Sequence, residues 1–203
     1  LSPPRACGFG RRWNGGLRVN FRCEQAPSGI PSAIAANVAA QIPTLVSDAL
    51  LLRAPTVEDF ELYAEIACTE RGQYMGGPMS REDAWWDFVQ LASGWVLHGH
   101  GGWAIEDVDS GDLLGFVILG LEPGDAQIEL GFLVSEDNEG LGVAHEAAQM
   151  ARAFAFDTLN LPELASYIHK DNTRSIALAE RLGAARTVHD DEVLAFIHSR
   201  EDA

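Results

Sequence analysis

Cysteine is scarce in this 203-residue chain. Cys7, Cys23 and Cys68 are too few and too scattered for a disulfide framework or a zinc site. That favours a reducing compartment, and a cytoplasmic location is expected. Long apolar runs are also missing, so no segment spans a bilayer as a helix and no membrane partner is expected. Basic residues are few: 14 Lys and Arg stand against 30 Asp and Glu, for a net charge of −16. Five Arg and one Glu make residues 1–27 +4, which leaves −20 for the remainder. Such an acidic body lacks the Lys and Arg clusters that nucleic acid requires. It could attract a cationic amine, although a well-solvated surface is the plainer explanation. The six His do not cluster at ligand spacing, so no metal is expected.

What remains is ample for one α/β domain, with 47% apolar residues. Residues 1–45 are rich in Pro, Gly, Arg and Ala without a sustained period, and read as a poorly ordered extension with a short helix over 33–40. The domain proper is expected over 46–203. Residues 49–53 read as a strand. Thr56 caps a helix with Asp59 as its acidic partner, and Phe60, Tyr63, Ile66 and Ala67 form its apolar face. Residues 71–79 are a Gly- and Pro-containing loop. Ser80 then caps a helix with Trp85, Phe88, Leu91 and Trp95 on one stripe. Strands are expected over 102–106, 113–119 and 127–134, joined by turns at Asp109-Ser110-Gly111-Asp112 and Pro123-Gly124. A helix over 143–158, a strand over 164–169, a helix capped by Asn172 and stopped at Gly183, and a strand over 193–198 complete the chain. Three meander strands followed by a crossover helix describe a mixed α/β sheet rather than a doubly wound one.

The segment Glu139-Gly140-Leu141-Gly142-Val143-Ala144 lies between a strand and a helix. Glycines there let the backbone approach an anion, and a helix start offers unpaired N–H groups. No Lys or Arg adjoins it, so backbone donors would hold a phosphate alone. A structural turn looks similar. A dinucleotide site is the nearest functional rival, but His145 stands where its third glycine belongs, and the preceding meander is wrong for it. No Gly-Lys-Ser/Thr follows, which excludes a Walker A loop.

The segments around the turn are more specific. Ile128-Glu129-Leu130-Gly131-Phe132 precedes it, and Asn172-Thr173-Arg174-Ser175 with Glu180-Arg181-Leu182-Gly183 follows after one strand. Leu50-Leu51-Leu52-Arg53-Ala54-Pro55 and Gly102-Trp103-Ala104-Ile105-Glu106 stand upstream. Over roughly residues 42–198 this set resembles the GNAT superfamily, in particular the branch typified by the ribosomal-protein N-terminal acetyltransferases RimJ and RimL. The resemblance implies a single GNAT fold with splayed central strands, acetyl-CoA as co-substrate, and direct acetyl transfer to a primary amine, either a protein N-terminus or a small cationic amine. A homodimer is compatible with it. It places the pantetheine arm along the backbone of Phe132, Leu133 and Val134, with an oxyanion donor near Leu133. The pyrophosphate falls on Glu139, Gly140, Leu141, Gly142, Val143 and Ala144, and a further bond to the arm on Asn172. Glu129 becomes the candidate general base, its pKa raised by apolar neighbours. Ser175 becomes the candidate proton donor to the leaving thiolate. As plain structure, Glu129 is a sheet carboxylate, and Asn172 and Ser175 are a helix cap and its partner.

The family's turn usually opens with Gln or Arg, and here it opens with Glu139; because the family binds mostly through backbone N–H groups at this turn, binding survives if that side chain points to solvent. Tyr74, Met75, Met79, Trp85, Trp86 and Trp103 could line the acceptor pocket, though spacing assigns most of them to the core. The alternative is a non-catalytic acyl-CoA-binding module, with Glu139 marking a degraded site.

Overall fold

A computed structural model describes residues 21–200. Residues 1–20 of the segment set apart by composition lie outside the described residues. Within 21–45 the chain forms α1 (Ile30–Ala39), and Arg81 holds Glu24 through two hydrogen bonds of 2.9 and 3.0 Å.

The remaining elements are β1 (Leu45–Val46), β2 (Leu50–Arg53), α2 (Phe60–Ala67), α3 (Arg81–His98), β3 (Gly102–Asp107), β4 (Leu113–Gly120) and β5 (Glu129–Val134). They continue with α4 (Val143–Ala153), β6 (Glu163–His169), α5 (Thr173–Arg181), β7 (Ala185–Val188) and β8 (Val193–Ser199). All eight strands join one sheet in the order β1-β2-β3-β4-β5-β6-β8-β7. Pairing is antiparallel except between β5 and β6, which α4 connects. This is the mixed, mostly antiparallel sheet expected. β7 is not foreshadowed in the sequence because all four of its residues are exposed and carry no apolar alternation. The helix expected over 143–158 is α-helical only to Ala153 and finishes as a π-turn, Phe154–Thr158.

The helix starts follow their caps. Asp59 and Thr56 form a reciprocal capping box before α2, Ser80 accepts from Asp83 N before α3, and Asn172 accepts from Ser175 N before α5. Each such cap stabilises by about 1 kcal/mol. Asp59 also holds Arg53 bidentately at 2.8 and 2.9 Å while Glu106 takes Arg53 Nε at 2.6 Å.

Period-two alternation sends neighbouring strand residues to opposite faces. Trp103 and Ile105 of β3, with Val117 and Leu119 of β4, pack with Ala147, Ala148 and Ala151 of α4. Ala104 and Phe116 turn to the other face, against Phe60, Tyr63, Phe88 and Leu91 of α2 and α3. Both faces of the central strands are therefore buried, which explains the unbroken apolar run of β4. Three fully buried alanines let α4 lie close on the sheet and fix where its N-terminus points.

Candidate active site

β5 and β6 part company after a single rung. Glu129 pairs with Ala165, and Ala165 N donates to Ile128 O at 3.0 Å. Beyond it the next carbonyl, Leu130 O, takes the Ser166 hydroxyl at 2.7 Å instead of a backbone N–H. β5 stays paired with β4 along its whole length, from Gly120↔Glu129 to Gly115↔Val134. A gap therefore opens between β5 and β6 toward their C-terminal ends.

Backbone polarity in the gap follows from alternation. Leu130 O and Val134 O are both engaged from the gap side, by Ser166 and by Arg71. Phe132 lies between them and presents its N–H and C=O to the same side. Ser135 N bonds Leu114 O on β4, so Leu133 and Gly131 also face β4. Of the three residues expected along the arm, Phe132, Leu133 and Val134, the ladder divides the backbone groups between the two sides of β5. Phe132 and Val134 face the gap. The Leu133 N–H is committed to the β4 ladder and is not free to receive an oxyanion.

The gap opens onto the glycine turn. Gly140 and Gly142 have φ of 76° and 91°, in the region that side chains disfavour, and a Cβ at either would meet open space. Gly142 is the N-cap of α4 and makes no side-chain cap bond, so the first N–H groups of the helix, from Val143 and Ala144 onward, are not claimed by a cap. Leu141 is exposed.

The Glu139 side chain is half-buried and paired at both oxygens. Its Oε1 is bonded by Arg71 Nη2 at 2.6 Å and its Oε2 by Arg174 Nη1. The turn is thus not free of basic side chains. Arg71 lies between α2 and α3, 68 residues away in sequence, and no local pattern announces it. Tyr74, from the same segment, stacks on His169 and donates to Asp171 O at 3.3 Å. The segment Glu70–Met75 therefore touches both banks of the gap.

Glu129 is mostly buried at the closed end of the gap. Burial pushes its pKa up to about 7, helped by the charges of Asp125 and Glu122 and opposed by the Tyr167 main-chain N–H. Ser175 stands in the first turn of α5 on the opposite bank, its N–H held by Asn172 Oδ1 at 3.3 Å. Tyr167 donates its hydroxyl to Gln127 Oε1 at 3.1 Å.

Next to the gap lies an open cleft of about 530 Å³, lined by Met75, Met79, Asp83, Trp86, Asp87 and Glu122 among others. Of the six residues expected there, Met75, Met79 and Trp86 line it. Trp103 is fully buried, Trp85 packs edge-on against Phe60, and Tyr74 belongs to the gap. The sequence marks Asp83 only as a helix-cap partner, and it does not foreshadow Asp87 on α3 or Glu122 in the β4–β5 turn as cleft residues. Burial raises the Glu122 pKa, and the charges of Asp87 and Asp125 raise it further. Tyr63 donates to Asp87 Oδ2 at 2.5 Å, and burial together with that carboxylate shifts its phenol strongly upward.

The family described as acetyltransferase (GNAT) domain matches residues 49–185 of this sequence. The chain belongs to the GNAT acetyltransferase family. Among solved structures, an acetyltransferase from Agrobacterium tumefaciens is 35% identical, with a TM-score of 0.75 over 78% of this chain and 95% of that one. A GNAT-family acetyltransferase from Bacillus anthracis shares the fold at 20% identity, with a TM-score of 0.64 over 79% of this chain and 100% of that one. The ribosomal-protein-S5-alanine acetyltransferase from Vibrio fischeri does so at 13%, with a TM-score of 0.59 over 79% and 98%. GNAT acetyltransferases use acetyl-CoA as co-substrate. In this acetyltransferase the gap between the parting strands opens directly onto the glycine turn.

Proposed function

We propose that this acetyltransferase transfers an acetyl group from acetyl-CoA directly to a primary amine, within a ternary complex. The observation that carries this reading is the parting of β5 from β6 with Glu129 at its vertex. A strand-like arm can add to the gap-side N–H and C=O of Phe132 and Val134, as peptides add to sheet edges. Asn172 bonds the arm from the other bank. The pyrophosphate lies on the N–H groups of the turn from Gly140 to Ala144, where the glycines admit it and the helix dipole favours it.

The acceptor enters as an ammonium. Glu129, ionised above pH about 7, takes a proton from it directly or through water. The nitrogen lone pair then forms a C–N bond to the thioester carbon. A gap-side N–H, of Phe132 or Val134, receives the oxyanion. The C–S bond breaks, the Ser175 hydroxyl gives its proton to the thiolate, and the second proton of the attacking nitrogen passes to Ser175 as the amide forms.

The acceptor is a protein N-terminus, as the RimJ/RimL-like resemblance implies, or a small cationic amine. Asp83, Asp87 and Glu122 around the cleft favour positive charge. The site works in the cytoplasm. The pairing of the Glu139 carboxylate with two guanidinium groups supports the catalytic reading over a non-catalytic module with a degraded site. A thermal-shift series with acetyl-CoA, CoA and NAD tests the reading, followed by thiol release across an amine panel. Stabilisation by both CoA compounds and amine-dependent release are expected. No response to either CoA compound sinks it.

A further inference from the structure

The turn that receives the pyrophosphate already holds an anion of the chain's own. The Glu139 carboxylate is clasped from two elements, its two oxygens taken by Arg71 from the segment after α2 and by Arg174 from α5. A carboxylate between two guanidinium groups is bonded as a phosphate would be. Two guanidinium groups stand at this mouth, in a chain whose net charge is −16.

Arg71 is also incompletely bonded. Its Nε is buried and finds no partner among the described residues, an unfavourable state for a donor. Its Nη2 is shared between Glu139 and Val134 O at 2.8 Å, the gap-side carbonyl nearest the turn. The guanidinium thus lies across the path from gap to turn. An arm running along β5 to the turn meets it.

We propose that Glu139 is an internal stand-in for the cofactor's pyrophosphate. Arg71 and Arg174 exchange the Glu139 carboxylate for phosphate oxygens when the cofactor binds. Arg71 then releases Val134 O to the arm. The inference rests on the reading of this turn as the pyrophosphate site. It explains how the turn tolerates a carboxylate: the acid is a competitor held in place by the cations it keeps ready.

Calorimetric titration of the full chain with CoA tests this. Arg174 is exposed, so Arg174→Ala leaves the core intact. It is expected to weaken CoA about tenfold, the loss of one charge-assisted bond, and Arg71→Ala at least as much. Glu139→Gln removes the competitor and is expected to tighten CoA several-fold. Arg186→Ala, at an exposed position on β7, controls for the change in net charge and is expected to leave affinity unchanged. The proposal is overturned if Arg174→Ala binds CoA like the parent protein, if Arg186→Ala weakens it equally, or if Glu139→Gln weakens it. An unmodified chain that binds no CoA overturns the cofactor reading itself, a result distinct from the other three.

Discussion

Glu129 faces Ala165 on the one rung that joins β5 to β6, so a carboxyl group stands where the central sheet divides. Burial there raises its pKa to about 7. The same geometry opens a gap beside β5 and sets a carboxyl of raised pKa at its closed end.

The first prediction concerns rate. Glu129→Gln is expected to lower kcat by roughly 10²–10⁴, the usual worth of general acid–base catalysis, while leaving acetyl-CoA affinity within about twofold. In the unmodified enzyme kcat/KM rises with pH through about 7, as the carboxyl ionises. The variant lacks that limb. Initial rates from pH 5.5 to 9 check it, and an unchanged profile removes Glu129 as the base.

The second concerns stability. Glu129 keeps its proton in the folded state up to pH about 7, against 4.5 ordinarily. Between those values the folded state binds more protons than the unfolded, so stability is lost as pH rises through the window. Glu129→Gln is therefore more stable than the parent at pH 8, by up to about 3 kcal/mol, and nearly equal to it below pH 4.5. Urea unfolding at pH 8 and pH 4 measures this.

His198 works with the opposite sign. Burial, and secondarily the charge of Arg152, lower its pKa from 6.5 to about 4, and its Nε2 lies 3.0 Å from the Ser166 hydroxyl. Between pH 6.5 and 4 the unfolded state binds the extra proton, so stability falls as pH drops through that range. His198→Gln cannot take up this proton. Its unfolding free energy is expected to decline less than the parent's on acidification from pH 7 to 4.

The glycine turn separates binding from folding. Gly142 has φ of 91° and open space where a methyl group would stand, so Gly142→Ala suffers only backbone strain of about 1–2 kcal/mol. The methyl group faces the ground where the pyrophosphate would approach. CoA affinity is expected to fall more than tenfold while the fold survives, as calorimetry and circular dichroism would show. Unaltered affinity would move the phosphate site elsewhere.

Much of this architecture is legible along the chain because its causes are local. Thr56 with Asp59, Ser80 with Asp83, and Asn172 with Ser175 mark helix starts within four residues. Gly140 and Gly142 are legible because only glycine adopts those dihedrals freely. The pairing of Arg71 with Glu139 is not legible, since its two halves are brought together only by the packing of α2 against the sheet. Nor is the difference between Trp85 and Trp86, adjacent residues of which one packs on Phe60 and the other lines the cleft. β7 is silent because an exposed strand of four residues carries no hydrophobic signal. Which backbone groups face the gap depends on the β4–β5 register, which no local pattern specifies.

The decisive measurement is thiol release from acetyl-CoA by the full chain, followed over a panel of protein N-terminal peptides and small cationic amines. At least one acceptor is expected to drive release well above background, with Glu129→Gln reducing that release at least a hundredfold. Release at background for every amine, from a protein that binds acetyl-CoA, would contradict direct acetyl transfer at this site.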